Sequence, residues 1–453
     1  MNIQKSITLI ALSFASLLVM AQESLPLQTL SLPQAIDFGK KNNLTLQNAK
    51  LDIDKANEQI KEIRSIGMPQ VNGSFTFNDF LQIPANFIPA SAFDPNAPKG
   101  AYAKIKFGTQ YQAQAGLQAS QLIFDGGYLV GLQATKEVRN LYQQSYNKTE
   151  LDVQINVTKA YFSALAIEEN IKILDINIER VGKLLHEMTE MNKAGFVERL
   201  DVDKLELSSS TLNITKKNLE SLKEIAYKAL KLQMGMDVNA PLKLTDKLED
   251  LYKSSGEDLS ASSFTASSRL EYKQLDQLLK LNQLDKKRYQ YGWIPNMAAF
   301  ASHQQSLSRN GETLFKQDKY LPWIPATVVG FKIGVPIYDG GMKFSKTAQA
   351  EIGIKQTKNN LSDLSNALSL EFAAARTTYV TALETLKNQK ANMELAERIY
   401  TAVSAKFSAG LGSSIELQSA ETDLKTSQVS YINAISTLLN AKTDLRKAMG
   451  TGK

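Results

Sequence analysis

The chain has no cysteine in 453 residues, which rules out disulfides, thiolate metal centres and cysteine nucleophiles. It has two histidines, His186 and His303, and neither sits in a nucleophile or metal-ligand pattern. Beyond residue 21 no stretch approaches the roughly 20 apolar residues of a membrane-spanning helix. The formal charge of +6 is mild for this length, and Lys and Glu alternate rather than cluster, so nucleic acid is not an expected partner. Glu168-Glu169 and Asp201/Asp203 read as solvated helix surface rather than acid/base pairs. Neither Asp-Gly-Gly site nor Gly450-Thr451-Gly452-Lys453 has the spacing and following helix of a phosphate loop. No catalysis, cofactor or metal is expected.

At the N-terminus, Lys5 precedes an apolar run from Ile7 to Met20 that ends Val19-Met20-Ala21. A basic start, a short apolar core and small residues at the cleavage positions predict a signal peptide over 1–21. No Cys follows, so a lipid anchor on cysteine is not expected.

What the chain does contain is itself, twice. Asp125-Gly126-Gly127 returns as Asp339-Gly340-Gly341, 214 residues later. Ala194-Gly195 returns as Ala409-Gly410, and Met234-Gly235 as Met449-Gly450, each 215 residues on. Upstream, Leu44 followed by Met68-Pro69 returns as Leu270 followed by Ile294-Pro295 after 226 residues. Punctuation at nearly constant spacing marks one structural unit used twice. The differing offsets place the length changes in loops, where added residues cost little. The expected division is a first repeat over 22–240, a linker over 241–264 and a second repeat over 265–453.

Each repeat reads helix, strand, loop, strand, long helix, turn, helix. A helical stretch from Leu32 to Ile66 stops at Gly67 and Pro69. Alternation follows over 70–79, with Val71, Gly73, Phe75 and Phe77 on one parity and Asn72, Ser74 and Thr76 on the other. That period of two is a strand with two different faces. A loop over 80–109 leads to a return strand over 110–124, whose Tyr111, Ala113, Ala115, Leu117 and Ala119 alternate with Gln112, Gln114, Gly116, Gln118 and Ser120. In the second repeat the strands fall at 296–306, the weakest of the four, and 325–337, around a loop over 307–324. The long helices are expected at 127–191, 197–236, 341–406 and 413–449.

The period changes after Gly127. Val153, Val157, Ala160, Ala164, Ile167, Ile171, Leu174, Ile178, Val181, Leu185 and Met188 alternate steps of four and three, the pattern of a left-handed coiled-coil seam. Leu205, Leu212, Leu219, Leu222, Ala226 and Ala229 form its expected partner. In the second repeat Leu417, Ala420, Leu424, Ser427, Tyr431, Ala434, Leu438, Ala441, Leu445 and Ala448 follow the same rule.

Four two-faced strands cannot close a membrane barrel alone, since the smallest such barrels have eight, and an open sheet in lipid leaves its edges unsatisfied. Closure would need eight strands from two chains or twelve from three. The alternative is a soluble two-hairpin cap on a helical stalk.

Several stretches together resemble the TolC-type outer-membrane efflux proteins. They are Leu30-Ser31-Leu32-Pro33-Gln34-Ala35-Ile36 with Asn43-Leu44, Met68-Pro69-Gln70, Phe124-Asp125-Gly126-Gly127 and Pro336-Ile337-Tyr338-Asp339-Gly340-Gly341. The turns Ala194-Gly195-Phe196 and Ala409-Gly410-Leu411-Gly412 complete the set. The resemblance implies a mainly α fold with a β-barrel portion: helical hairpins plus four transmembrane strands per chain, in a homotrimer with a 12-stranded barrel and an α-helical tunnel. It also implies an outer-membrane duct extending into the periplasm, with an inner-membrane transporter, a periplasmic adaptor and outer-membrane lipid as partners.

Candidate sites follow. Asp125 and Asp339 are suited to cap the helices that begin at the glycine pairs, as strand-to-helix joints. By resemblance the two tips, Ala194-Gly195-Phe196 and Ala409-Gly410-Leu411-Gly412, meet the adaptor; the plainer reading is that Gly195 and Gly410 only permit left-handed helix ends. The family's constriction carries acidic residues six and often nine positions beyond the second-tip glycine. Glu416 stands at plus six and Ser419 breaks the pattern at plus nine, while Asp201 stands six beyond Gly195. Glu416 reads equally as a solvated helix carboxylate. The family's basic partner for the Asp201-type residue falls at Gly412, which leaves Arg199 as the candidate cation. The competing function is a non-transporting, adhesin-like coiled-coil surface protein.

Overall fold

The computed structural model of the chain describes residues 27–254, 259, 263–311 and 322–450. The expected signal peptide, parts of the 241–264 linker and of the 307–324 loop, and Thr451 to Lys453 lie outside the described residues. The chain divides into two compact units. A helical unit comprises Met1–Leu51, Gln144–Lys273 and Asp363–Lys453, and a strand unit comprises Asp52–Gln143 and Gln274–Ser362.

The strand unit is built on a four-stranded sheet of β2 (Gln70–Asp79), β5 (Tyr111–Phe124), β7 (Asn296–Arg309) and β8 (Ile324–Gly334), in the order β2-β5-β7-β8 with antiparallel neighbours. Residues directly opposite in such a sheet share a face. One face carries the rows Val71–Ala119–Ala301–Val329, Phe75–Ala115–Gln305–Pro325 and Phe77–Ala113–Leu307. The other carries Asn72–Gln118–Ser302–Val328, Ser74–Gly116–Gln304–Ala326 and Thr76–Gln114–Ser306–Ile324. The first face is mainly apolar and the second mainly polar. Large apolar side chains on the first face stand exposed, among them Val71, Phe75, Leu117, Val329 and Phe331. β2 and β8 pair on one side only, so each leaves a free edge within the chain.

Two expectations for this unit change. The strand read as weakest, β7, runs 14 residues and pairs on both sides, as long as β5. Its polar residues (His303, Gln304, Gln305) dilute the alternation, but two flanking strands satisfy its backbone whatever its side chains are. The 80–109 loop is also not structureless: β3 (Ala85–Pro89) and β4 (Tyr102–Lys106) form an antiparallel hairpin within it. The Pro and Ala content hides a strand pattern only five residues long on each side.

The helical unit starts with β1 (Gln28–Leu30), which pairs in parallel with β6 (Leu242–Leu244). The expected first helix is two helices, α1 (Leu32–Asn42) and α2 (Leu44–Ser65). They part at Asn43, whose backbone is extended and whose Nδ2 donates to the Gln233 carbonyl at 2.8 Å. Helix α1 begins with a capping box between Ser31 and Gln34 and a proline in its first turn, the residue types its unpaired amides require. Asp246 accepts from the Leu32 amide at 2.7 Å and from the Tyr161 hydroxyl at 2.9 Å. That tie holds the opening of α1 to helix α3 (Gly126–Lys193). Burial first, then the Asp246 carboxylate, push the Tyr161 phenol well above its ordinary range.

The remaining helices are α4 (Arg199–Met234), α5 (Leu248–Ser254), α6 (Leu270–Tyr291), α7 (Met342–Ser408) and α8 (Ser414–Met449). None of the eleven seam residues of α3 is exposed. Yet Tyr161, Phe162, Leu165 and Ala166, off that stripe, are buried as well. Helix α3 has two antiparallel neighbours, which explains the second buried face. Toward α4, Glu168 meets the Tyr227 hydroxyl and Lys223, each at 2.7 Å, and Asp175 meets Lys216 at 2.6 Å. Toward α8, Lys159 meets Asp444 at 2.5 Å and Asn170 meets Asn433 at 3.2 Å. Glu168 is therefore an interhelical acceptor and not merely solvated surface. On α4 the predicted Leu222 and Ala229 are exposed, and Tyr227, Leu230 and Met234 are buried instead. The seam there drifts as the helix meets α1 and β6, which a strict heptad count does not register.

Helix α8 follows its predicted stripe closely: every named position is buried except Ser427, which is half-buried. Leu438 is 4% exposed in the main core. Replacing it by Ala removes packed methyl groups and leaves a cavity, so Leu438→Ala is expected to lower stability by about 2–5 kcal/mol, read from denaturation of the purified protein against wild type.

Candidate functional site

The candidate functional site is a set of backbone joints, helix tips and polar contacts between helices; among the described residues no cluster of His, Asp or Glu could hold a metal ion.

The two Asp-Gly-Gly joints use the same acid but need their glycines for different reasons. At the first, Asp125 Oδ1 accepts from the Tyr128 amide at 2.7 Å and caps α3. A Cβ on Gly126 would lie 2.7 Å from the Tyr291 carbonyl oxygen, so the requirement is space. At the second, Asp339 accepts from the Gly341 and Lys343 amides, both at 3.2 Å. Here Gly340 and Gly341 have φ of 69° and 85°, a left-handed backbone that side chains oppose.

The two tips are built alike. Gly195 has φ 81° and Gly410 φ 74°. The next amide, Phe196 or Leu411, reaches back to the carbonyl of Met191 at 2.9 Å or Lys406 at 3.0 Å. This is the six-to-one closure of a glycine-terminated helix. Phe196 and Leu411 are then held outward, 80% and 81% exposed. A Cβ on Gly412 would sit 3.0 Å from the Phe407 nitrogen, so that glycine too is demanded by space.

The acidic residues near the tips do not share one environment. Glu416 is exposed in the first turn of α8 and makes no ion pair among the described residues. Ser419 is exposed on the same helix. Asp201 is half-buried, accepting from the Ser414 hydroxyl at 2.7 Å and pairing with Lys204 at 3.3 Å. It links the first tip to the second. Arg199 pairs with Asp203 at 2.8 Å rather than with Asp201, because four residues along a helix bring those two side chains onto one face. Phe407 packs with Met188, Val202 and Leu205, adding an apolar contact between the tips. His186 and His303 are both exposed and far apart in sequence; His303 Nδ1 lies 2.8 Å from the Thr327 hydroxyl across β7 and β8.

Sequence reading missed Glu421. It is buried, and its Oε1 has no hydrogen-bond partner among the described residues. Arg180 on α3, its nearby cation, stacks over the Tyr400 ring at 4.7 Å and bonds Asn177 at 3.2 Å. Burial pushes the Glu421 carboxyl above its usual range, with Arg180 and Lys425 opposing. Because Glu421 also fits the polar face of a helix, no sequence signal separates it from the solvated carboxylates around it.

The folded chain holds the Glu421 proton more tightly than the unfolded chain. Stability from this group is therefore present below the ordinary Glu range and is lost as pH rises through the raised folded value. Glu421→Gln is expected to match wild type at pH 4 and to melt higher at pH 8, by on the order of 1 °C for each kcal/mol recovered, in thermal scans at the two pH values.

Comparison with known proteins agrees with this layout. The sequence profile described as "Outer membrane efflux protein" matches residues 36–236 and 268–451. Outer membrane protein TolC of Escherichia coli (strain K12) is 21% identical over 452 residues, spanning 94% of this chain and 83% of that protein. Among solved structures, CusC superposes with a TM-score of 0.73 at 16% identity, covering 92% of this chain and 91% of its own. The open state of the Neisseria gonorrhoeae MtrE outer membrane channel gives 0.71 at 16% identity, with coverages of 93% and 89%. With the matched profile spanning both repeats, the chain belongs to the outer membrane efflux protein family.

Proposed function

We propose that this chain is the outer-membrane exit duct of a tripartite efflux or type I secretion system. Three copies close a 12-stranded barrel, and their helical units enclose a periplasmic tunnel. The observation that carries this reading is the four-stranded sheet, with one apolar face, one polar face and a free edge at each side. In lipid such an edge costs several kcal/mol for every unsatisfied backbone group. Joining β2 of one copy to β8 of the next removes that cost, turns the apolar face to lipid and lines the lumen with Gln, Asn, Ser and Thr. Strands of 10 to 14 residues suffice for a tilted crossing of the hydrocarbon, which needs about 9–11.

Transport through such a duct is passive; the driving force comes from an inner-membrane transporter, handed on through a periplasmic adaptor at the tips. Phe196 and Leu411, exposed at matching positions of the two tips, are the contacts the adaptor would cover. Glu416, exposed and without a cation partner, is the residue whose three copies would ring the narrow end and favour cations.

Detergent-extracted protein is expected to be a trimer and to conduct in planar bilayers; a soluble monomer without conductance would instead favour the adhesin-like reading. Within that assay Glu416→Ala is expected to raise conductance and weaken cation selectivity. Unchanged traces from intact trimers would remove Glu416 from the constriction.

A further inference from the structure

The hairpin of β3 and β4 lies between Asp79, where β2 ends, and Tyr111, where β5 begins. It therefore stands at the end of the sheet opposite the Asp125 joint, which follows the other end of β5. Its register sets Ala85 opposite Lys106, Phe87 opposite Lys104 and Pro89 opposite Tyr102. These six residues share one face, because alternate residues of paired strands point the same way. All of them except Ala85 are exposed, Phe87 at 66% and Tyr102 at 65%. On the reverse face Ile88, Ala103 and Ile105 are half-buried. The hairpin thus turns its aliphatic side inward and its aromatic and basic side outward.

The outward face holds two cations and no acid. Lys104 and Lys106 have no carboxylate partner among the described residues. Side chains directly opposite stand about 5 Å apart at Cβ, and alternate residues along a strand about 7 Å apart. Tyr102, Lys104, Lys106, Phe87 and Pro89 therefore occupy one patch roughly 5 Å wide and 14 Å long. Just below it Phe77 stacks on Tyr111, with ring centroids 6.0 Å apart, at the outer end of the apolar face. Aromatic residues there mark the headgroup level of a membrane-spanning sheet.

The two halves of the patch suit two halves of one ligand. Lysine ammonium groups are compact point charges that attract phosphate. The negative faces of exposed rings, with a proline beside them, offer flat surface to the C–H faces of a sugar ring. We propose that the outward face of this hairpin, Phe87, Pro89, Tyr102, Lys104 and Lys106, is a docking surface for the phosphorylated saccharide headgroup of a glycolipid in the outer leaflet. The proposal rests on the membrane-spanning reading of the sheet, which sets the Asp-Gly-Gly joints on the periplasmic side and this hairpin outside. Phosphate sits against Lys104 and Lys106, and the sugar stacks along Tyr102 and Phe87.

The test immobilises the full-length protein in detergent and measures binding of deacylated lipopolysaccharide core oligosaccharide, with its phosphates and after they are stripped. Wild type is expected to bind the phosphorylated form more tightly, by roughly fivefold for each of the two lysines. Lys104→Gln with Lys106→Gln is expected to remove that preference, while the paired Arg substitutions keep it and Lys217→Gln, on α4, leaves it unchanged. Phe87→Ala with Tyr102→Ala is expected to weaken binding of both forms. Because the chain has no other cysteine, Lys104→Cys in intact cells reports the side of the membrane through an impermeant maleimide. Labelling of intact cells without any saccharide preference in vitro, or a lysine double variant that keeps the preference, overturns the docking surface alone. Labelling only after lysis overturns the placement of the sheet and the docking surface with it. Full displacement by millimolar inorganic phosphate, or an aromatic variant that binds as wild type does, identifies a phosphate site without saccharide character and also overturns the proposal.

Discussion

An open β-sheet with one apolar face carries two problems at once: uncovered hydrocarbon surface, and backbone N–H and C=O groups along the edges with no partner. In this chain both fall on the same four strands. The exposed Val71, Phe75, Leu117, Val329 and Phe331 would be a liability in water, and the free edges of β2 and β8 would be one in either solvent. The two are relieved together when lipid covers the face and another strand covers each edge. The remaining features of the strand unit follow from that condition: strand length, the row-by-row division into apolar and polar faces, and the joints that stop each return strand.

The helical unit meets a different constraint. A helix with one apolar stripe needs one partner, but α3 has two, α4 on one side and α8 on the other. Its core therefore includes Tyr161, Phe162 and Leu165 beside the heptad positions. Between α3 and α8 the shared apolar core is accompanied by polar pairs, Asn170 on Asn433 and Lys159 on Asp444. For such pairs the cost of desolvation offsets much of the attraction, so they add little net stability. The Asp201–Ser414 bond at the tips continues that logic, joining the first repeat to the second by a contact whose loss costs little packing.

Duplication is visible in the physics as well as in the spelling. Both tips end in a left-handed glycine followed by an exposed apolar residue, and both joints begin with an aspartate that accepts backbone N–H bonds. The joints differ in why glycine is required: close approach to Tyr291 in one, positive φ in the other. Identical letters thus answer different geometric demands, and the second joint is flanked by an aromatic and basic pair, Trp293 and Lys343.

The order of the four long strands and the long helices, the two faces of the strands and the main seams of α3 and α8 were legible in the sequence alone, because periods of two and of three-and-four are local properties of a chain. So were the glycine stops at 195 and 410 and the aspartate caps, since capping involves neighbours only. Tertiary structure alone decided the rest. Glu168 as an interhelical acceptor, the second buried face of α3, the shift of the α4 seam away from Leu222 and Ala229, and the choice of Ser414 rather than Arg199 as a partner for Asp201 each depend on a residue distant in sequence. Glu421 is the sharpest case: a glutamate on a helix looks the same whether its face meets water or another helix, and only the packed neighbours determine that its charge is costly.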